Sequence, residues 1–172
     1  MELEFKPVVA GDIDRLRPFY GLRPNKTCDS VFLDSFLWKD YYHVQCAVSE
    51  GRAVLWLMEK DGQVSTAMPL CREEDLPYFF QQMVDYFSGV LHKPFYISLA
   101  DEEAVQCLNL DPALFEVEEQ VDLKDYLYSG EELRKLEGKK FVKKRNHLNG
   151  FKRTYEGRYE YRRLCCSDRH EV

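Results

Sequence analysis

The sequence predicts an α+β fold in which helices cover both faces of a mixed, mostly antiparallel sheet. The first observation is a hairpin signal, because Asp61-Gly62 separates two apolar runs and this dipeptide is typical of a tight β-turn. The second is a long pattern of apolar residues at helical spacing over 72–91. The third is the order of elements: hairpins come early, and strands alternate with helices later.

The first part of the chain contains most of the predicted strands. Its predicted elements are a strand at 3–9, helices at 12–19 and 29–42, and strands at 43–49, 52–60 and 63–71. Pro7 favours an edge position for the first strand, because proline cannot donate a backbone hydrogen bond. Turns at Glu50-Gly51 and Asp61-Gly62 predict that the three strands after the second helix form an antiparallel meander.

The second part alternates between helix and strand after the long helix. Its predicted elements are strands at 95–99, 114–121 and 159–164, and helices at 101–108, 129–136 and 139–155. Ser129 and Glu132 have the spacing of a capping box at the start of a helix. Gly138 is expected to end that helix and to separate it from the next one.

Length and composition indicate a folded protein without a membrane span. The chain has 172 residues, enough for one domain with a core, and 45% of them are hydrophobic, which excludes general disorder. The N-terminus lacks the basic and apolar regions of a signal peptide, so we expect a soluble, cytoplasmic protein. The six cysteines lack metal-ligand spacing, so we expect reduced thiols and no metal site.

Positive charge is concentrated near the end of an otherwise acidic chain. Residues 134–163 hold twelve Lys and Arg against three acids, although the whole chain has 24 basic and 30 acidic residues. A concentration of this kind indicates a local partner with negative charge rather than a generally basic protein.

A helical wheel divides the basic segment 139–155 into two faces. At about 100° per residue, the apolar residues Phe141, Leu148, Phe151 and Tyr155 form one stripe. The opposite face holds Lys139, Lys143, Asn146 and Arg153, with Gly150 at its centre. Glycine within a helix costs up to about 1 kcal/mol relative to alanine, and one use for it is close approach of a bulky partner to the backbone.

Two interpretations of this helix remain open. A run of charges is commonly a solvated helix face. However, Lys139/Lys143 and Lys140/Lys144 are like charges at i,i+4, which destabilise a helix that has no counter-anion. The alternative is that the helix binds a polyanion such as RNA phosphates or a phosphorylated cofactor.

Several catalytic and binding motifs are excluded, and no catalytic residue can be assigned. The closest glycines are seven residues apart, which rules out G-x-G-x-x-G and the P-loop. His147 lies between the basic and apolar faces and is the best histidine candidate, but a phosphate contact or simple packing explains it better than acid–base chemistry.

The sequence G-K-K-F-V-K-K-R-N-H-L-N-G-F-K-R at 138–153 resembles a bacterial family named after the C-terminal domain of phosphatidylglycerol lysyltransferase. The opening Phe5-Lys6-Pro7 and the helix segment F-L-D-S-F-L-W at 32–38 are similar to it as well. The residues that match the basic signature are Lys139, Lys140, Lys143, Lys144, Arg145, Asn146 and His147.

This resemblance implies a tandem GNAT (acyl-CoA N-acyltransferase-like) fold about twice as long as this chain, with a basic helix associated with aminoacyl-tRNA. Residues 1–164 would be the first, N-terminal GNAT-like domain, and residues 165–172 the beginning of the second half or a tail. The short glycine loop by which GNAT enzymes bind the coenzyme A pyrophosphate is missing. We therefore expect no cofactor in this chain, and acyl-CoA or aminoacyl-tRNA as donor in a full-length protein.

Two functions follow as hypotheses. In the first, the chain is the N-terminal half of an acyl- or aminoacyltransferase, inactive alone, whose helix 139–155 docks a polyanionic donor such as aminoacyl-tRNA. Its polyanion-binding residues would be the seven signature residues together with Arg153, and its partners tRNA and a second GNAT half or dimer mate. In the alternative, the chain is a non-catalytic RNA- or protein-binding module on a GNAT-like scaffold.

Overall fold

The computed structural model describes residues 3–22, 31–163 and 165–168. The strands are β1 (Lys6–Pro7), β2 (Gln45–Ser49), β3 (Ala53–Lys60) and β4 (Gln63–Ser65). The helices are α1 (Ile13–Tyr20), α2 (Phe32–Leu37), α3 (Leu76–Tyr86), α4 (Glu102–Leu108), α5 (Gly130–Lys135) and α6 (Val142–Thr154).

The chain divides into two compact units, residues 1–125 and residues 126–172. The predicted single domain over 1–164 stays a prediction.

The first unit is built on a four-stranded antiparallel sheet in the order β1-β2-β3-β4. Asp61 and Gly62 have φ of +52° and +81°, and they join Lys60 to its partner Gln63. Two successive residues with positive φ are typical of the hairpin turn that this dipeptide predicts. All strand pairs of this sheet are antiparallel, and the one parallel pairing among the described residues, an isolated bridge between Thr66 and Ile97, lies outside the strands. The predicted α+β class is confirmed.

Side chains of β3 alternate between two cores, one on each face of the sheet. Ala53 and Leu55 are fully buried in a core formed largely by α3, through residues such as Phe79. Val54 and Trp56 belong to the other core, which contains Leu16 of α1, Val8, Val44 and Cys46. Because successive side chains of a strand point to opposite faces, helices cover both faces of this sheet.

Helices begin and end close to the predicted positions. Ser129 Oγ accepts a hydrogen bond from Glu132 N at 3.3 Å, and α5 ends before Gly138, whose φ is +84°. The long helix of 72–91 is made of a 3₁₀ turn at Glu73–Asp75, then α3, then a π turn at Phe87–Leu91. The helix predicted at 29–42 is shorter, and its first two residues lie outside the described part of the chain.

The prediction of a strand at 95–99 was wrong: of these residues only Ile97 makes a β-bridge. Thr66 N donates to Tyr96 O at 2.9 Å and Ser98 N donates to Thr66 O at 3.4 Å, and the pairing ends there. Phe95 instead packs in an aromatic group, with its ring centroid 5.2 Å from Phe80. Packing of this ring, which no local pattern encodes, determines the path of the segment.

The strand predicted at 114–121 was also wrong. Leu114 N and Phe115 N both donate to Asp111 O at 3.0 Å, so the backbone there closes a local turn. Leu114, Val117 and Val121 are 76%, 57% and 64% exposed. Alternating apolar residues form a strand only beside a neighbouring strand that accepts their backbone hydrogen bonds.

The last predicted strand, at 159–164, was wrong over its described residues, 159–163, which form no strand. Arg158 N donates to Tyr155 O at 2.8 Å and closes a turn after α6. Arg162 Nη1 then donates to Asp168 Oδ1 at 2.6 Å. Leu164 lies outside the described residues.

Candidate polyanion-binding site

The basic segment is a 3₁₀ turn followed by a helix, not one continuous helix from residue 139. Lys139–Phe141 form the 3₁₀ turn, and α6 continues from Val142 to Thr154. The turn changes the angular positions of Lys139 and Lys140 relative to a regular helix. The predicted alignment of Lys139 with Lys143 on one helix face is therefore only approximate.

Arg145 is used inside the second unit. Its Nη1 donates to the carbonyl oxygen of Gly138 at 2.8 Å and also to that of Leu136. These carbonyls follow the end of α5, where backbone acceptors lack helical partners. Arg145 thus ties the end of α5 to α6, and one of its guanidinium nitrogens is occupied.

Lys140 is paired as well. Its Nζ lies 2.8 Å from Glu132 Oε1, and it stands 5.1 Å from the centroid of the Phe141 ring. Both members of the ion pair are more than half exposed. A pair of this kind contributes about 0–1 kcal/mol, because water screens it. Lys140 can therefore exchange Glu132 for another anion at little cost.

The other six predicted site residues are exposed side chains. They are Lys139, Lys143, Lys144, Asn146, His147 and Arg153. Within the described ranges 3–22, 31–163 and 165–168, none of them has an ion pair or a side-chain hydrogen bond. Lys139, Lys143, Lys144 and Arg153 are therefore four cations on one segment without an acidic partner among the described residues.

The apolar stripe of α6 is exposed except at its first residue. Phe141 is 6% exposed, whereas Leu148, Phe151 and Tyr155 are 42%, 46% and 45% exposed. The aromatic rings pack on one another: Phe151 lies 4.9 Å from Tyr155 and 5.0 Å from Tyr159, between centroids. The sequence predicted the stripe but not that its C-terminal end stays accessible.

An open groove lies at this end of α6. Its walls are formed by Asn149, Lys152, Arg153, Glu156, Gly157 and Tyr159. Of these, the sequence reasoning assigned a binding role only to Arg153. Asn149, Lys152, Arg153 and Glu156 recur at intervals of three and four, which is the signal that could have placed them on one helix face.

Two other kinds of feature, a metal site and a membrane-spanning helix, are absent from the described part of the chain. No group of three or more His, Cys, Asp and Glu side chains there is close enough together to hold a metal ion. Within the same residues, no helix has the length and apolar character that crossing a bilayer requires.

Fold and site together define a protein with an α+β first unit and an exposed cationic helix in its second unit. The family model described as phosphatidylglycerol lysyltransferase, C-terminal, matches residues 21–172 of this chain. The chain belongs to that family, and the resemblance predicted from the signature at 138–153 is confirmed. The architecture agrees with the GNAT-like fold that this resemblance implies.

A crystal structure of a conserved protein of unknown function from Bacteroides thetaiotaomicron VPI-5482 is similar to this chain. The TM-score is 0.84 at 25% sequence identity, over 99% of this chain and 56% of the other. This chain thus spans just over half the length of that protein. Among curated proteins, none matches.

Proposed function

We propose that this chain is the N-terminal GNAT-like half of an acyl- or aminoacyltransferase, and that its basic segment docks a polyanionic donor, most simply aminoacyl-tRNA. One observation carries the proposal. Lys139, Lys143, Lys144 and Arg153 are exposed cations without an acidic partner in the described residues, whereas Lys140 is ion-paired. Membership in the phosphatidylglycerol lysyltransferase C-terminal family supports the transferase class.

Cationic side chains in this arrangement repel one another, and an anion relieves the repulsion. Lys143 and Lys144 lie in the first turn of α6, and no acid lies there, where carboxylates ordinarily favour a helix. Cations in a first turn oppose the helix dipole. RNA phosphates would neutralise them and release condensed counterions, so binding would weaken steeply with salt.

Signature residues divide between two roles in this proposal. The exposed cations contact phosphates, with Asn146 and His147 beside them as hydrogen-bonding groups. Arg145 holds α6 in position by its hydrogen bond to the carbonyl oxygen of Gly138, so it affects donor binding only indirectly. Lys140 can contact a phosphate once its ion pair with Glu132 is broken.

Acyl-CoA is a weaker candidate for the donor bound by this half. The nine glycines are too widely spaced for the loop that holds the coenzyme A pyrophosphate. The transfer step, from donor to an amine or hydroxyl acceptor, would belong to a second GNAT half or to a dimer mate.

The test is fluorescence anisotropy of labelled bulk aminoacyl-tRNA against the chain across a salt series. Lys139→Glu/Lys143→Glu should weaken binding and reduce the salt slope by about 1 for each phosphate that the protein no longer neutralises. A matched control is Arg72→Glu/Lys93→Glu, which changes the net charge equally at two exposed positions in the first unit. Equal losses of affinity in the two double variants, or no binding by the wild type at low salt, would overturn the proposal.

A second candidate is a non-catalytic protein-binding module. Exposed apolar side chains of the first unit between 114 and 123 favour it: Leu114 at 76%, Val117 at 57%, Val121 at 64% and Leu123 at 61%. Large exposed apolar patches commonly mark protein interfaces. Sedimentation over a range of concentrations separates the two candidates, since self-association that Leu114→Glu abolishes, together with a lack of tRNA binding, would favour the second.

A further inference from the structure

We infer that the groove at the C-terminal end of α6 binds an unpaired nucleotide, with its base stacked on the exposed aromatic rings and its phosphate beside the groove cations. This inference rests on the proposed function, because it names which part of the RNA lies there. The groove is separate from the lysines at the beginning of the segment. Its lining combines aromatic, cationic and amide side chains.

Tyr159 is the aromatic residue of the lining, and it belongs to a group of rings with Phe151 and Tyr155, which lie outside the lining. Phe151 contacts both tyrosines, with centroid distances of 4.9 Å and 5.0 Å, and all three side chains are close to half exposed. Burying such rings is favourable, so exposed rings that support one another in place provide a surface for another flat group. Every nucleobase has a face that can stack there.

Cations border the same surface. Lys152 and Arg153 line the groove with Tyr159, and the Arg158 guanidinium lies 5.5 Å from the Tyr155 ring centroid. Stacking rings beside cations are the combination by which proteins hold single-stranded nucleic acid. A purely apolar ligand would leave these charges without counter-ions, so charge complementarity favours a nucleotide.

Glu156 determines which part of the nucleotide faces the helix end. Glu156 is part of the groove lining, and its negative charge would repel a phosphate. Its carboxylate accepts hydrogen bonds from an exocyclic amine or a ribose hydroxyl. The phosphate must therefore lie toward Lys152 and Arg153, with the base or ribose toward Glu156.

The same geometry indicates whether the bound base is paired with another base or unpaired. A base within a duplex is stacked on its neighbours and has no free face for Tyr159. An unpaired base at an RNA end or in a loop does have one. The groove therefore favours single-stranded nucleotides, whereas the lysines earlier in the segment neutralise phosphates of any RNA.

The experiment compares two labelled RNA hairpins with one duplex sequence, one blunt and one with a four-nucleotide 3′ overhang. Wild-type protein should bind the overhang hairpin at least about five-fold more tightly, as expected for one stacked base. Tyr159→Ala should remove that advantage and leave the affinity for the blunt hairpin and the salt slope unchanged. Tyr159→Phe should keep the advantage.

Two matched variants complete the design. Tyr161→Ala removes a tyrosine that is 95% exposed and lies outside the groove lining, so it should behave as wild type. Glu156→Gln keeps an acceptor oxygen but removes the charge that repels phosphate, so it should raise affinity for the overhang hairpin more than for the blunt one. Circular dichroism confirms that each variant is folded.

The outcomes separate this inference from the proposed function. Equal binding of the two hairpins by wild type, with Tyr159→Ala unchanged, would overturn the inference and leave the docking function intact. Binding of the overhang hairpin that Lys139→Glu/Lys143→Glu does not weaken would overturn the lysine dock and support the groove. Absence of binding to either hairpin at low salt would overturn both.

Discussion

Arg145 Nη1 donates a hydrogen bond to the carbonyl oxygen of Gly138 at 2.8 Å, across seven residues of chain. The bond joins the middle of the basic segment to the turn that precedes it. A residue that the signature places among phosphate-binding cations is thus also a structural residue of the second unit.

Arg145→Ala should destabilise the second unit by about 1–3 kcal/mol, because two carbonyls lose a charged donor. Urea unfolding followed by circular dichroism measures the effect. Arg153→Ala is the matched control, since Arg153 is exposed and has no partner within the described residues; it should change stability by less than about 0.5 kcal/mol. Equal effects of the two variants would contradict the capping role.

Glu132→Gln should increase RNA affinity while changing stability by less than about 0.5 kcal/mol. The exposed Glu132–Lys140 pair contributes little to folding, and its removal frees Lys140 for phosphate. Anisotropy with tRNA measures affinity. Glu131→Gln is the comparison, because Glu131 pairs instead with Lys135, outside the signature. A larger gain for Glu131→Gln would refute a role for Lys140.

Gly150→Ala should stabilise α6 by about 0.5–1 kcal/mol, because a Cβ at this helical position meets nothing within 4 Å. If Gly150 allows a ligand to approach the backbone, the same variant should weaken RNA binding. Thermal unfolding and anisotropy on one preparation give both quantities. Higher stability with unchanged affinity would show that the glycine has no part in binding.

Tyr20→Phe should flatten the alkaline part of the stability curve. Burial raises the pKa of Tyr20 to about 12 from 10.0, and its hydroxyl lies 3.1 Å from Ser35 Oγ. Because the unfolded chain releases this proton first, the stabilisation present below pH 10 is lost as pH rises from about 10 to about 12.

The difference between wild type and Tyr20→Phe should therefore shrink or reverse over that range, by up to about 2 kcal/mol. Denaturant titrations at several pH values measure it. Tyr161→Phe, at a 95% exposed position, should leave the pH dependence as in wild type. A pH-independent difference for Tyr20→Phe would contradict the assignment.

Features that depend on a few neighbouring residues could be predicted from the sequence. The Asp61-Gly62 turn and the Ser129 cap formed as expected, and Gly138 separates the two helices, although α5 already ends at the left-handed Leu136. Each depends on backbone preferences or hydrogen bonds within about four residues. The alternation of β3 between two cores follows from the geometry of a single strand.

Features that depend on distant partners could not be predicted in this way. Residues 95–99 and 114–121 have strand patterns, but pairing needs a neighbouring strand, and Phe95 packs among rings instead. The exposed ring group around Phe151 also depends on Tyr159, beyond the end of α6.

Charge patterning alone was enough to locate a basic segment and to relate it to a family, because composition and spacing are properties of the chain. Which cations face solvent depends on where the carbonyl of Gly138 and the carboxylate of Glu132 come to lie after folding. Those positions follow from the path of the turn between α5 and α6. Tertiary structure therefore separates Arg145 and Lys140, which have partners within the protein, from Lys143 and Arg153, which have none among the described residues.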